Sequence, residues 1–102
     1  MSDPSLKVKT NSQEILKEPP LFKIIYLNDN VTSIEFVIAS LIAHFSYSET
    51  MASQIAQDIH ENGSAVVAVL PFEIAEQKGV EISIMARNEG FPLQIKIEPD
   101  AD

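Results

Sequence analysis

The stretch LFKIIYLNDNVTSIEFVIASLIAHF, residues 21–45, changes its hydrophobic period partway along and thereby decides the fold. From Leu21 to Leu27 β-branched and aromatic residues predominate, and Phe22, Ile24 and Tyr26 fall on one face, the pattern of a strand. The run stops at Asn28-Asp29-Asn30, whose side chains favour turns. Thr32-Ser33-Ile34-Glu35 then has the spacing of a capping box, which satisfies two backbone donors at a helix start. Beyond it Ile34, Val37, Ile38, Leu41, Ile42 and Phe45 recur at three- and four-residue steps, predicting a helix with one broad apolar stripe.

Working outward from this unit, a second helix is expected from near Ser48, with Met51, Ala52, Ile55, Ala56 and Ile59 as its stripe and Gly63 as its C-terminal cap. The link between the two helices is so short that they must pack as an αα-hairpin. Ser64 to Leu70 reads as a buried strand from its continuous Val and Ala content, and Pro71 ends it. A third helix is predicted from about Phe72 to Asn88, although Gly79 inside it costs about 1 kcal/mol relative to alanine. Gly90 can cap its end. Phe91, Leu93, Ile95 and Ile97 then alternate with Pro92, Gln94, Lys96 and Glu98, the period of a strand with one wet face. The predicted order is β-α-α-β-α-β, and the simplest way to bury it is an α+β two-layer sandwich with three helices on a small three-stranded sheet. Residues 1–20 are polar, aperiodic and end on Pro19-Pro20, so they are read as a flexible tail preceding a core over residues 21–102.

The chain has 102 residues, 45% of them apolar and 22% charged, which suits one folded domain and not two. Its net charge is −8, from 7 basic and 15 acidic residues, a field that repels phosphate backbones and argues against nucleic acid as a ligand. Cysteine is absent, which excludes disulfides, thiolate catalysis and sulfur-based zinc sites. No apolar run approaches the roughly 20 residues of a membrane span, and the N-terminus lacks a secretory pattern, so the expected location is the cytoplasm.

Chemistry is most concentrated in Asn28-Asp29-Asn30 and in His60 near the end of the second helix. The Asn amides, the Asp carboxylate and a neutral imidazole all offer acceptors, a set that suits an ammonium ligand. The same residues equally serve to shape a turn and cap a helix, with His60 at a surface helix end. A hydrolase arrangement of Ser64, His60 and Asp29 lacks a nucleophile elbow. His44 and His60 have no metal-ligand spacing, and no phosphate cradle or calcium loop is present, so neither metal nor cofactor is expected. Ile34, Val37, Ala56 and Leu93 read as core positions on pattern alone.

The ordered run Leu27-Asn28-Asp29-Asn30-x-Thr32-x-x-Glu35-Phe36-Val37 resembles the Leu-Asn-Asp-Asp-x-Thr-Pro-x-Glu-Phe-Val signature of the ClpS family. The likeness continues through Ile59-His60-x-x-Gly63-x-Ala65, Val69, Glu73-x-Ala75-Glu76-x-Lys78, Ala86-Arg87 and Pro92-Leu93, over about residues 21–98. That family comprises adaptors which capture proteins by a bulky N-terminal residue and hand them to the AAA+ chaperone of the Clp protease. The resemblance implies no enzyme activity. It implies that Asn28, Asp29, Asn30, Thr32 and His60 bind the client's N-terminus, Asn28 and His60 contacting its α-amino group and Asp29 with Asn30 shaping the rim and supplying negative potential. Ile34, Val37, Ala56, Ile59 and Leu93 would line the cavity for the first side chain, and Glu73 and Lys78 would face the chaperone. A protein interaction module of ribosomal-stalk-like fold, without such a pocket, is the alternative. The sequence departs from the family pattern at Asn30, where an aspartate is usual, at Ser33 for proline, and at Ile34 and Ala56, where methionines are common.

Overall fold

The computed structural model describes residues 19–101. The tail expected at the N-terminus lies outside it as far as residue 18. Six elements follow in the predicted order: β1 (Leu21–Leu27), α1 (Ile34–Phe45), α2 (Glu49–Asn62), β2 (Ser64–Pro71), α3 (Phe72–Asn88) and β3 (Gln94–Pro99). The three strands form one antiparallel sheet in the order β2-β1-β3, so the first strand in sequence is the central one. Its alternation explains why. Ile24 and Tyr26 are completely buried beneath the helices, flanked across the ladders by Ala68 and Ile97, and by Ala65 and Ile95.

Tyr26 brings a hydroxyl into this core, and Ser40 answers it from α1. The Tyr26 hydroxyl donates to Ser40 Oγ at 2.7 Å, and Ser40 Oγ donates in turn to the carbonyl of Val37 at 2.8 Å. A polar residue on the apolar stripe thus satisfies the one buried phenol and fixes α1 on the sheet. Burial pushes the Tyr26 pKa up to about 12, the hydrogen bond with Ser40 opposing the rise.

Three local expectations are corrected. The helix cap is Ser33, not Thr32: Ser33 Oγ accepts from the Phe36 amide at 3.1 Å, so Glu35 falls one position short of closing a capping box. The apolar stripe of α1 is narrower than its pattern, since Ile34 and Ile42 are exposed and Val37 and Leu41 supply its buried centre. Finally, β2 is an edge strand with a wet face rather than a buried strand. Its register slips at a bulge opposite Ile24 and Ile25, where Val67 is the extra residue. Val67 turns inward while Val66 and Val69 remain 47% and 39% exposed. The Tyr47 hydroxyl donates to the Val67 carbonyl at 2.6 Å, fastening the bulge to the link between α1 and α2.

Glycines explain the rest of the packing. Gly79 does not break α3, because a Cβ there would meet Ile97 Cδ1 at 3.4 Å and the bare backbone lets the helix lie close on β3. Gly90, at φ 80°, closes the helix: its amide donates to the Arg87 carbonyl and the Phe91 amide to that of Ala86, the paired bonds of a Schellman end.

Candidate functional site

The site is built where β1 runs out beside the end of α2. Gly63 caps α2 at φ 89°, a conformation that glycine adopts without strain, and its amide donates to the Ile59 carbonyl. Its own carbonyl then accepts from the amide of Asn28 at 2.8 Å. That single backbone bond ties the exit loop of β1 to the last turn of α2, which carries His60. Nothing in the side-chain pattern announces it, because both partners are main-chain atoms.

The loop is shaped from within by Asp29. Oδ1 accepts from the amides of Val31 and Thr32 at 2.7 and 2.6 Å, and Oδ2 accepts from the Thr32 hydroxyl at 2.7 Å. Burial acts to raise the Asp29 pKa, but the hydrogen bonds from Thr32 and Val31 and the positive charge of Arg87 outweigh it and hold the carboxyl below its ordinary range. Asp29 and Thr32 therefore build the loop first, and present a fixed negative charge as a consequence. Among the described residues, the side-chain amides of Asn28 and Asn30 and the ring of His60 make no hydrogen bond, and all three are exposed. Asp29 does not orient His60, so the hydrolase arrangement is not assembled.

Beside this loop lies a cavity of about 270 Å³. Asn28, Asp29, Asn30, Thr32 and His60 form its polar side, and Ile34, Val37, Ala56 and Ile59 its apolar side. Residues from the β1 exit, the first turn of α1 and the last turns of α2 are thus brought together around one space. Its volume falls just below the roughly 300–1,000 Å³ of small-molecule pockets and suits a single side chain. The chemistry it offers is an apolar hole with exposed polar groups at its mouth.

The remaining predicted residues lie elsewhere. Leu93 does not border this cavity; it is buried in the core just before β3. Arg87, which pattern reading did not single out, holds this segment by donating through Nη1 to the carbonyls of Phe91 and Leu93, both at 2.9 Å. The Phe91 ring meets Phe36 of α1 edge-on, with centroids 5.5 Å apart. Glu73 is exposed in the first turn of α3, at the edge of a separate apolar hollow of about 350 Å³ that includes Phe22 and Phe72. Lys78 Nζ stands 5.7 Å from the centre of the Phe45 ring, a cation–π contact. No cluster of metal-ligating side chains occurs among the described residues, and no helix among them is long and apolar enough to cross a membrane.

Known proteins resemble this chain in sequence and in fold. The family model for the ATP-dependent Clp protease adaptor protein ClpS matches residues 17–96. The chain is 38% identical to the ATP-dependent Clp protease adapter protein ClpS of Myxococcus xanthus, over 96% of this chain and 92% of that protein. It is 40% identical to that of Campylobacter jejuni subsp. doylei, over 93% of this chain and 99% of that protein. Among solved structures it is similar to Agrobacterium tumefaciens ClpS2 bound to L-phenylalaninamide, with a TM-score of 0.78 and 40% identity, covering 81% of this chain and all (100%) of the other.

Proposed function

The chain belongs to the ClpS family of ATP-dependent Clp protease adaptors, and on that premise we propose that it captures client proteins by a bulky hydrophobic N-terminal residue and delivers them to the AAA+ chaperone of the Clp protease. The observation that carries this reading is the pairing, in one small cavity, of an apolar interior with exposed acceptors that nothing in the described residues occupies. A client's first side chain fills the space between Ile34, Val37, Ala56 and Ile59. Its α-ammonium then lies within reach of the Asn28 amide oxygen and of the His60 ring, beside the negative charge of Asp29. The relative from A. tumefaciens is described as bound to L-phenylalaninamide, a compound with a free α-amino group and a bulky aromatic side chain.

In this reading the protein binds and presents; no group in the cavity is asked to break a bond. Asn30 supplies an acceptor without the charge that the family pattern places there, and charge-assisted hydrogen bonds are roughly twice as strong as neutral ones. Ammonium recognition therefore leans on Asn28, His60 and the field of Asp29. Glu73 and Lys78, on α3 and away from the cavity, are assigned to chaperone docking, so that both partners can be held together. The cytoplasm is the compartment that this role requires.

Calorimetry with a peptide beginning with Leu or Phe, free or acetylated at its N-terminus, tests the proposal. Acetylation removes the charge and is expected to weaken binding by about tenfold or more, the magnitude of a lost charged hydrogen bond. Equal affinity for the two forms would overturn the ammonium reading.

A further inference from the structure

Resting on the pocket reading above for its consequence, we propose that Asn62-Gly63 is a site of spontaneous deamidation, that the product at position 62 disables the cavity, and that a bound client protects against it. This is the one Asn-Gly pair in the sequence. Both residues are exposed, and nothing stands within 4 Å of the position that a Gly63 Cβ would take, so the pair stands open to water. In the reaction the main-chain nitrogen of Gly63 attacks the side-chain carbonyl carbon of Asn62. A cyclic imide closes as that C–N bond forms, and the side-chain amide leaves as ammonia, taking up the proton that the Gly63 nitrogen gives up. Water then opens the ring. Opening at the side-chain carbonyl leaves an aspartate on an unchanged backbone, and opening at the main-chain carbonyl leaves an isoaspartate, whose backbone is longer by one methylene. One water is consumed and one ammonia released, with no oxidant. Glycine favours the attack because it presents no Cβ beside the nucleophile.

The fold gates this step. The Gly63 amide is engaged, donating to the Ile59 carbonyl at 2.9 Å as the C-terminal cap of α2. Attack therefore waits on opening of that last turn, the kind of local fraying to which helix ends are subject. The same turn carries His60, and the Gly63 carbonyl accepts from the Asn28 amide at 2.8 Å. Opening it thus loosens two residues on the polar side of the cavity, and a peptide held by both must oppose the opening. An isoaspartate at position 62 makes the loosening permanent. It sets an extra methylene between His60 and the Gly63 carbonyl that holds Asn28, and it adds a negative charge at a helix C-terminus, where the dipole disfavours one.

Wild type and Asn62→Gln, incubated in neutral buffer with and without a peptide bearing a free N-terminal Leu, test this by mass spectrometry of the segment containing position 62. Wild type is expected to convert an amide to an acid there, with isoaspartate among the products, while Asn62→Gln, whose ring would be larger, stays unchanged. Peptide at about 100 times its Kd should slow the conversion at least tenfold. The isolated isoaspartate form should bind the free Leu peptide about tenfold more weakly than fresh protein, the magnitude of a lost charged hydrogen bond. Asn62→Asp, which carries the charge without the longer backbone, should lose less. A folded protein that keeps its amide at position 62 while the urea-unfolded chain loses it would overturn the site. Equal rates with and without bound peptide would overturn the coupling to the cavity, and an isoaspartate form that binds like fresh protein would overturn the consequence. Fresh protein that bound no free Leu peptide would defeat the pocket reading and the link to the cavity with it, whereas the mass at position 62 would still decide the deamidation.

Discussion

Two polar junctions attach β1 to α1, and they stand in opposite environments. One is the buried chain from the Tyr26 hydroxyl through Ser40 to the Val37 carbonyl. The other is the half-exposed loop in which Asp29 gathers the amides of Val31 and Thr32 and the Thr32 hydroxyl. Bond lengths are alike in both, yet the consequences differ. In the core an unpaired donor cannot turn to water, so the junction sets stability. At the surface water can replace any lost partner, so the loop's bonds matter chiefly through the shape and charge they give the cavity.

The largest expected effect is on the buried side, in alkali. The Tyr26 pKa is about 12 in the folded protein, above the ordinary value near 10 that the unfolded chain will show. A raised pKa means that the folded state holds the proton more tightly. The stability it contributes is full below pH 10 and is lost as pH rises from about 10 to 12, by up to about 3 kcal/mol. Urea titrations across that range should show the decline in wild type and a shallower one in Tyr26→Phe. An identical alkaline limb in both proteins would show that the phenol is not the group responsible.

Next in size is Ser40→Ala, which leaves the Tyr26 hydroxyl buried without an acceptor at a cost of about 2 kcal/mol. Tyr26→Phe should cost less, about 1 kcal/mol, because Ser40 retains its bond to Val37. Combining the two should cost less than the sum, since the orphaned hydroxyl is gone. Additivity in denaturant unfolding would mean that the two groups do not depend on each other.

How much of this was legible in the sequence follows the same division. Side-chain periodicity revealed every helix and strand among the described residues, because the alternation of Phe22, Ile24 and Tyr26 and the stripe through Val37 and Leu41 directly record which face is buried. It misjudged β2, since a run of small apolar residues does not distinguish a central strand from an edge that bulges at Val67. It also placed the cap of α1 one residue early, because Thr32 and Ser33 are both competent caps and only the demand of Asp29 for the Thr32 hydroxyl decides between them. The polar cluster alone remained ambiguous between a turn and a ligand site. Ordered resemblance narrowed that choice. The tie that gathers the cluster, Asn28 to the Gly63 carbonyl, is written in backbone atoms that every sequence possesses.

The smallest effect on stability, and the sharpest test of the contrast, belongs to the exposed loop. Asp29→Asn keeps an acceptor for the Val31 and Thr32 amides but replaces the oxygen that takes the Thr32 hydroxyl with a donor, and it removes the charge beside the cavity. Because the loop is solvated, the loss of stability at neutral pH should stay within about 1 kcal/mol. Affinity for a peptide with a free N-terminal Leu should nevertheless fall about tenfold, with an acetylated peptide little changed. The sign of the pH dependence follows from the depressed Asp29 pKa: its contribution is present above the ordinary carboxylate pKa and is lost as pH falls through the lower folded value. Wild type should accordingly lose a little stability in acid that Asp29→Asn does not. Thermal melts at pH 7 and in acid, with anisotropy on the same samples, would measure all three. If Asp29→Asn melted as early as Ser40→Ala, or bound the free peptide as well as wild type, the loop would be a structural junction like the buried one and the division between them would fail.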